Sequence, residues 1–308
     1  MDTYQNKWDT RSSIRTSPHK LIDFNLHGYF FPPDKQPLLF CPEIQALGED
    51  TKGIVLLQSF YKYLEDIVNL ESKSIISACN LIISAELSVK YDSNIRLNAY
   101  TVIIDEYYHI YMAKDIIYQL EQKFPEIPRL KYPVSDAYNA IQIIKKQLQP
   151  LYHNVFEIIA VCIFETTLIR ELVSFFNSTE VHPSVRYYVN DHMNDESKHY
   201  YYFYNVLSIT WNTLTPQYRD AIGKYLGDFI IHYLNVISDK QFNQALACQI
   251  LVDENYAQAL VERLYNGFKI SSELPIVNNV LKVFEKVGLF QNNSVREGFQ
   301  KYNLLKSM

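Results

Sequence analysis

Three residues between positions 190 and 199 have the side chains and the spacing of a metal-binding stripe. His192, Glu196 and His199 stand at positions i, i+4 and i+7, which places them within about 60° of one another on an α-helix. Charged groups on a buried helix face are costly unless something neutralises them. A bound metal ion is the simplest explanation, because the same face carries apolar residues: Val185, Tyr188, Val189, Phe203 and Val206.

A second segment repeats part of this pattern. Asp105-Glu106-Tyr107-Tyr108-His109 and Asp195-Glu196-Ser197-Lys198-His199 both read Asp-Glu-x-x-His. A single histidine on an apolar helix face is usually a buried core residue, and the repetition of Glu-x-x-His is what favours metal ligands. Two such pairs, joined by one glutamate from each of two further helices, form the ligand set of carboxylate-bridged dimetal bundles.

One of the two further glutamates can be assigned from its helix face. Glu165 has an almost wholly apolar face, formed by Ile158, Val161, Cys162, Leu168, Ile169 and Leu172. It lies about twelve residues before a turn near residue 177, and Glu196 lies about thirteen after Pro183, so antiparallel helices bring them level. The neighbouring Glu157 is interpreted as a charge at the rim, and Glu171 as a partner for Arg170.

The second of the two further glutamates cannot be assigned from its helix face. Glu65, Glu71 and Glu86 all lie on the preceding helical segment. Glu71 has an apolar face, but so does Glu86, and counting residues from the turn does not separate the two.

Two aspartates stand next to the ligand glutamates. A carboxylate beside a ligand helix commonly accepts the second ring N–H of a histidine from a neighbouring helix. We therefore predict that Asp105 pairs with His199 and that Asp195 pairs with His109. The alternative is that each aspartate is a solvated helix residue.

The composition favours an all-α protein. Only eight glycines occur in 308 residues, and none lies between Gly53 and Gly223, which argues against Rossmann, P-loop and glycine-turned β architectures. The net charge of −5 comes without a basic block, so no nucleic-acid partner is expected.

The chain carries no sign of a membrane or an oxidising compartment. Its first residues are polar, and no run of 18 apolar residues occurs, so we predict neither a signal peptide nor a transmembrane helix. Cys41, Cys79, Cys162 and Cys248 show no Cys-x-x-Cys spacing. They are interpreted as reduced, buried thiols, and a cytoplasmic location is expected.

The order of helices follows from apolar periodicity and from proline and glycine positions. We predict one all-α domain over residues 1–308: an irregular, proline-rich cover over residues 1–50 with at most one short helix, a metal-binding core over about 54–240, and about three additional helices over 241–308. The core helices are predicted at 54–89, 94–123, 151–177 and 183–210, with a short helix from Ser135 or Asp136 to Gln149. A further helix opens at Pro216, with Gly223 and Gly227 as weak points.

The ligand pattern resembles a known family. Glu71, Glu106-x-x-His109, Glu165 and His192-x-x-x-Glu196-x-x-His199 are similar to the metal ligands of the p-aminobenzoate N-oxygenase (AurF-like) diiron family. The distinguishing mark of the family is the extra histidine one turn before the second Glu-x-x-His, and His192 occupies that position. The resemblance covers roughly residues 55–240 and selects Glu71 among the three candidates. It implies a ferritin-like helical bundle that holds two iron ions through four carboxylates and three histidines.

The resemblance also implies an activity. Such a centre activates O₂ and, through a peroxide held between the two irons, oxygenates the nitrogen of an amine, giving a hydroxylamine, nitroso or nitro product. We expect a monooxygenase acting on a small amine, with arylamines first, and an external electron donor or reductase. A homodimer is compatible with the sequence. The alternatives are a diiron hydroxylase or desaturase acting on carbon, and a non-catalytic iron-binding bundle.

Overall fold

The protein is built from α-helices, as predicted. A computed structural model describes residues 4–84, 87–131, 135–167 and 176–305, and these residues contain no β-strand, only an isolated bridge between Tyr29 and Val181. The α-helices in the described ranges are α1 (Tyr4–Arg11), α2 (Ser13–Thr16), α3 (Pro42–Gln45), α4 (Glu49–Leu70), α5 (Ile76–Ser84), α6 (Ser93–Lys123), α7 (Asp136–Gln147), α8 (His153–Thr167), α9 (Pro183–Thr213), α10 (Pro216–Tyr233), α11 (Ile237–Ile250), α12 (Glu254–Tyr265), α13 (Pro275–Val287) and α14 (Asn293–Gln300).

Four helical segments form a closed bundle. A π-helical turn, Glu71–Ile75, joins α4 to α5, and this continuous segment packs against α6. Helix α8 packs against α9, α5 contacts α8, and α6 contacts α9. Side chains cap the amino termini of two helices. Asp92 accepts a hydrogen bond from Ile95 N at 2.8 Å before α6, and Ser135 accepts one from Ala137 N before α7.

The polar centre lies between two hydrophobic clusters. Along α6, Ala99 and Val102 belong to one cluster and Met112 and Ala113 to the other. The same division occurs on α9, where Val189 and Phe203 lie in different clusters. On both α6 and α9, the stretch that carries the polar centre therefore has apolar packing at each of its ends.

Two predicted helix boundaries differ from the structure. The first core helix begins at Glu49, and residues 87–91 that follow it are not helical, so the predicted range 54–89 was wrong at both ends. The third begins at His153 after a 3₁₀ turn, Pro150–Tyr152, and Phe176 and Asn177 are not helical. Glu86 and the residues 168–175, which include Leu168, Ile169, Arg170, Glu171 and Leu172, lie outside the described residues.

The amino-terminal segment is a cover, but it holds more helix than predicted. Helices α1 and α2 lie against α6 and α9. Further along, Tyr29 N donates to Glu180 O and His182 N donates to Tyr29 O, both at 2.8 Å. Gly28 has φ +145°, and a Cβ there would lie 2.7 Å from His182 Cα. Glycine is therefore required where the cover meets the start of α9.

Within residues 234–305, four α-helices, α11 to α14, follow α10 instead of about three. Gly223 and Gly227 are not weak points in α10, which runs unbroken through both. A Cβ at Gly227 would lie 2.1 Å from Gly298 O of α14, and one at Gly223 would lie 2.8 Å from Val295 Cγ2. These glycines let α10 and α14 approach closely.

None of the helices in the described ranges is long and apolar enough to cross a membrane.

Candidate metal centre

Seven predicted side chains converge inside the four-helix bundle. Their donor atoms form two groups, each with its atoms within 4.8 Å of one another: Glu71, His109, His192 and Glu196, and Glu106, Glu165, Glu196 and His199. None of the seven residues is more than 7% exposed. Glu196 belongs to both groups, so it could serve two metal ions.

Each core segment supplies part of the cluster. Helix α6 supplies Glu106 and His109, which are one turn apart, and α9 supplies its three ligands from two successive turns. Helix α8 supplies Glu165. Glu71 is the first residue of the π-helical turn, and such turns are frequent at functional sites.

Burial and mutual repulsion disturb the charges of the glutamates. Burial raises the pKa of Glu165 well above its ordinary value, and repulsion by Glu196 and Glu106 adds to the rise. Burial, followed by repulsion from Glu106, likewise raises the pKa of Glu71. Glu196 behaves oppositely: burial opposes its charge, but the surrounding histidines outweigh burial and lower its pKa well below the ordinary value.

The histidines are drawn toward their charged form by these carboxylates. Burial opposes the charge of His109, but hydrogen bonds to Asp195, Glu106 and Glu71 raise its pKa well above the ordinary value. The pKa of His199 rises in the same way, since burial is outweighed by Glu106 and Glu196. The carboxylates thus outweigh the cost of burying charge on these two rings, and a bound cation would compete with protons for the same donor atoms.

Several donor atoms have no hydrogen-bond partner among the described residues. These atoms are Glu71 Oε2, Glu106 Oε1, Glu165 Oε2, His192 Nδ1 and His199 Nδ1. His199 Nδ1 and Glu106 Oε1 lie 3.2 Å apart without forming a hydrogen bond. Buried polar atoms without a partner are costly. Oxygen and imidazole donors that converge on shared space fit divalent iron.

Both predicted aspartate–histidine pairings are present as contacts. Asp195 Oδ2 lies 3.1 Å from His109 Nε2 in a hydrogen bond, and Asp105 Oδ2 lies 3.4 Å from His199 Nε2. Both aspartates are fully buried, so the alternative of solvated helix residues was wrong. Because an ionised carboxylate only accepts hydrogen bonds, it favours a proton on Nε2 and directs the Nδ1 lone pair at the cluster.

His192 has a different environment. Its Nε2 lies 3.1 Å from Glu196 Oε1 and 3.2 Å from Glu71 Oε1, so this histidine faces the cluster through Nε2. Its Nδ1 meets no hydrogen-bonding partner in the described ranges. His192 therefore lacks the neighbouring aspartate that lies beside His109 and beside His199.

Sequence reasoning missed the residues that surround the aspartates. Asp105 Oδ1 accepts hydrogen bonds from Trp8 Nε1 at 2.9 Å and from Ser12 Oγ at 2.5 Å. Asp195 accepts from Ser13 and, at 2.5 Å, from Lys198 Nζ. The serines and the tryptophan come from a segment without apolar periodicity, so no pattern pointed to them. A pair of adjacent serines in a proline-rich cover was the only available signal.

The other glutamates considered have structural partners. Glu65 is paired with Lys114 at 2.9 Å and with Arg129, on the outside of α4. Glu157 was predicted to be a rim charge, which was wrong. It is only 7% exposed, and it accepts hydrogen bonds from Ser77 Oγ at 2.5 Å and Lys145 Nζ at 2.6 Å.

The cysteines agree largely with the prediction of buried, reduced thiols. All four cysteines are free; three are buried and Cys248 is partly buried.

Comparison with protein families gives one match over most of the chain. A family model described as P-aminobenzoate N-oxygenase AurF matches residues 6–270. Members of this family have a ferritin-like fold and are diiron enzymes. Comparison with curated proteins gives no match to this chain.

Proposed function

The chain belongs to the p-aminobenzoate N-oxygenase AurF family, and from this premise we propose that it is a non-haem diiron oxygenase that uses O₂ to oxygenate the nitrogen of an amine. An arylamine is the first substrate class to test. The observation that carries the proposal is the buried cluster of four carboxylates and three imidazoles, with Glu196 shared between its two donor groups.

The donor groups indicate how two ions would be held. Glu71, His109 and His192 would bind one ion, Glu106, Glu165 and His199 the other, and Glu196 would bridge them. Two iron ions bound in this way would supply the activation of O₂. Four carboxylates balance the charge of two divalent ions, so the loaded centre can be buried at a modest electrostatic cost.

The protein's own contribution is orientation and exclusion of water. A hydrogen bond to Asp195 holds the ring of His109, and Asp105 lies 3.4 Å from His199 Nε2, so that each Nδ1 faces the cluster. The apolar clusters at both ends of the centre keep bulk water away from it. His192 adds a neutral donor without adding negative charge, which suits oxygen transfer to a nucleophilic nitrogen.

The decisive experiment begins with metal-free protein. Anaerobic Fe(II) is titrated in, bound iron is counted, and the loaded protein is exposed to O₂ with a reductant and a panel of amines that includes p-aminobenzoate. We expect about two irons per chain and hydroxylamine, nitroso or nitro products. Iron binding without any nitrogen-oxygenated product across the panel would contradict the proposal and favour oxidation at carbon.

A pair of variants on α8 provides the control. Glu165→Gln removes a buried carboxylate that belongs to the cluster, and Glu157→Gln removes a buried carboxylate that does not. We expect the first to retain about one of the two ions and to lose its product, and the second to keep both ions and its product. Equal losses in the two variants would show that the effect arises from folding, not from ligation.

A further inference from the structure

The amino-terminal cover reaches the metal centre at two adjacent residues. Ser12 and Ser13 are 0% and 5% exposed, although their immediate neighbours on both sides are exposed. Ser12 contacts Asp105, and Ser13 contacts Asp195. One short stretch of chain thus contacts both carboxylates that orient the histidines.

The hydrogen bonds are divided between the oxygens of Asp105. Trp8 Nε1 and Ser12 Oγ both donate to Oδ1. The other oxygen, Oδ2, is left facing His199 Nε2 at 3.4 Å. Two donors on one oxygen fix the rotation of the carboxylate, and they leave the second oxygen as an acceptor for the imidazole N–H.

Asp195 is held in a similar way. Lys198 Nζ donates to Oδ1 at 2.5 Å, and the backbone N of Ser13 donates to the same oxygen at 3.1 Å. The Ser13 hydroxyl donates to Oδ2, which also accepts from His109 Nε2 at 3.1 Å. The contact with the cover therefore determines where the acceptor for His109 lies.

We propose that Ser12 with Trp8 is the positioning element for His199 and that Ser13 is the positioning residue for His109, so that the amino-terminal cover forms part of the metal centre. The role in iron binding rests on the proposed function. The role in orienting the two histidines does not, because the contacts exist among the protein's own atoms. Each serine is assigned to one histidine, and this specificity separates positioning from general support of the fold.

The test follows the two histidines separately. Protein labelled with ¹⁵N-histidine is prepared metal-free, and the ring Nε2–H signals of His109 and His199 are assigned from the His109→Gln and His199→Gln variants. We expect Ser12→Ala and Trp8→Phe to shift the His199 signal and to speed its exchange with water, while His109 is unchanged. Ser13→Ala should shift the His109 signal and speed its exchange with water, while His199 is unchanged. Ser17→Ala, on the same segment but outside both contacts, should change neither signal.

Iron affinity is the second measurement. We expect Ser12→Ala and Ser13→Ala each to weaken Fe(II) binding roughly tenfold, as is usual when a partner of a metal-binding histidine is lost, and Ser17→Ala to leave it unchanged. If the parent protein bound no iron, the proposed function would fail while the histidine signals would still decide the positioning role. Equal shifts of both histidines in every variant, or no shift in either serine variant, would overturn the proposal.

Discussion

Glu196 is the residue on which both halves of the centre depend. It is the one side chain among the described residues that appears in both donor groups, and the histidines on either side of it on α9 supply one further donor to each group. Glu71 and Glu165 each belong to a single group. The consequences of removing a carboxylate should therefore depend on which one is removed.

Loss of Glu196 is predicted to affect both ions. Glu196→Gln should lower bound iron well below one per chain, since each ion loses a negatively charged donor, whereas Glu71→Gln should retain about one of the two ions. Iron is counted by colorimetric assay after gel filtration. An unchanged iron content in Glu196→Gln would remove this residue from the ligands.

His192→Ala is predicted to have a milder effect. Its Nδ1 has no hydrogen-bond partner in the described part of the chain, and no aspartate fixes its ring. We expect the variant to keep much of its iron but to react with O₂ at a different rate and with a different visible spectrum, as followed by stopped-flow absorbance. The matched variant His109→Ala should lose about one of the two ions. If His192→Ala reacted with O₂ as the parent does, its assignment as a ligand would lose support.

At the level of elements, the close packing of α10 and α14 depends on glycines that were predicted from the sequence to be weak points. Helices α10 and α14 are in contact over Gly223, Gly227 and Gly298. A glycine inside a predicted helix indicates either a weak point or a close approach, and only the partner helix decides between them. That partner lies about seventy residues further along the chain, beyond the reach of local periodicity.

A pair of glycine variants tests this difference. Gly227→Ala places a Cβ 2.1 Å from a backbone oxygen of Gly298, so the helices must separate, and we expect a loss of about 3 kcal/mol in the free energy of unfolding. Gly53→Ala meets nothing within 4 Å and should stabilise by about 0.5–1 kcal/mol through helix propensity. Both values are measured by urea denaturation, and similar effects in the two variants would contradict the close approach.

The ligands were easier to predict than the elements that hold them. Glu-x-x-His on an apolar face is a local pattern, so Glu106, His109, Glu196 and His199 could be singled out from residue types and spacing. Glu71 could not be separated from Glu86 in this way, because the π-helical turn at Glu71 breaks the 3.6-residue period. Trp8, Ser12 and Ser13 were missed since their roles depend on contacts with α6 and α9.

At the scale of the whole molecule, the buried centre lowers the stability of the fold through electrostatic repulsion when no cation is bound. Four carboxylates and three imidazoles are buried together between apolar clusters. Burial, and after it mutual repulsion, raises the pKa values of Glu165 and Glu71. A bound cation removes that repulsion. The stability of the fold should therefore be coupled to metal binding.

Metal removal is predicted to lower the melting temperature. Fe(II) at about 100 times its dissociation constant should add about 2.7 kcal/mol per bound ion to the free energy of unfolding and raise the Tm by about 4 °C per ion, measured anaerobically by calorimetry. Glu165→Gln should weaken this response, and Glu157→Gln should preserve it. A purely structural bundle would melt at the same temperature with and without iron.

The position of the cover at the start of the chain has a consequence for assembly. Trp8, Ser12 and Ser13 leave the ribosome before Asp105 and long before Asp195, because synthesis proceeds from the amino terminus. These early residues cannot dock until α6 and then α9 have been made. Closure of the cover over Asp105 and Asp195 is therefore a late step in the assembly of this site.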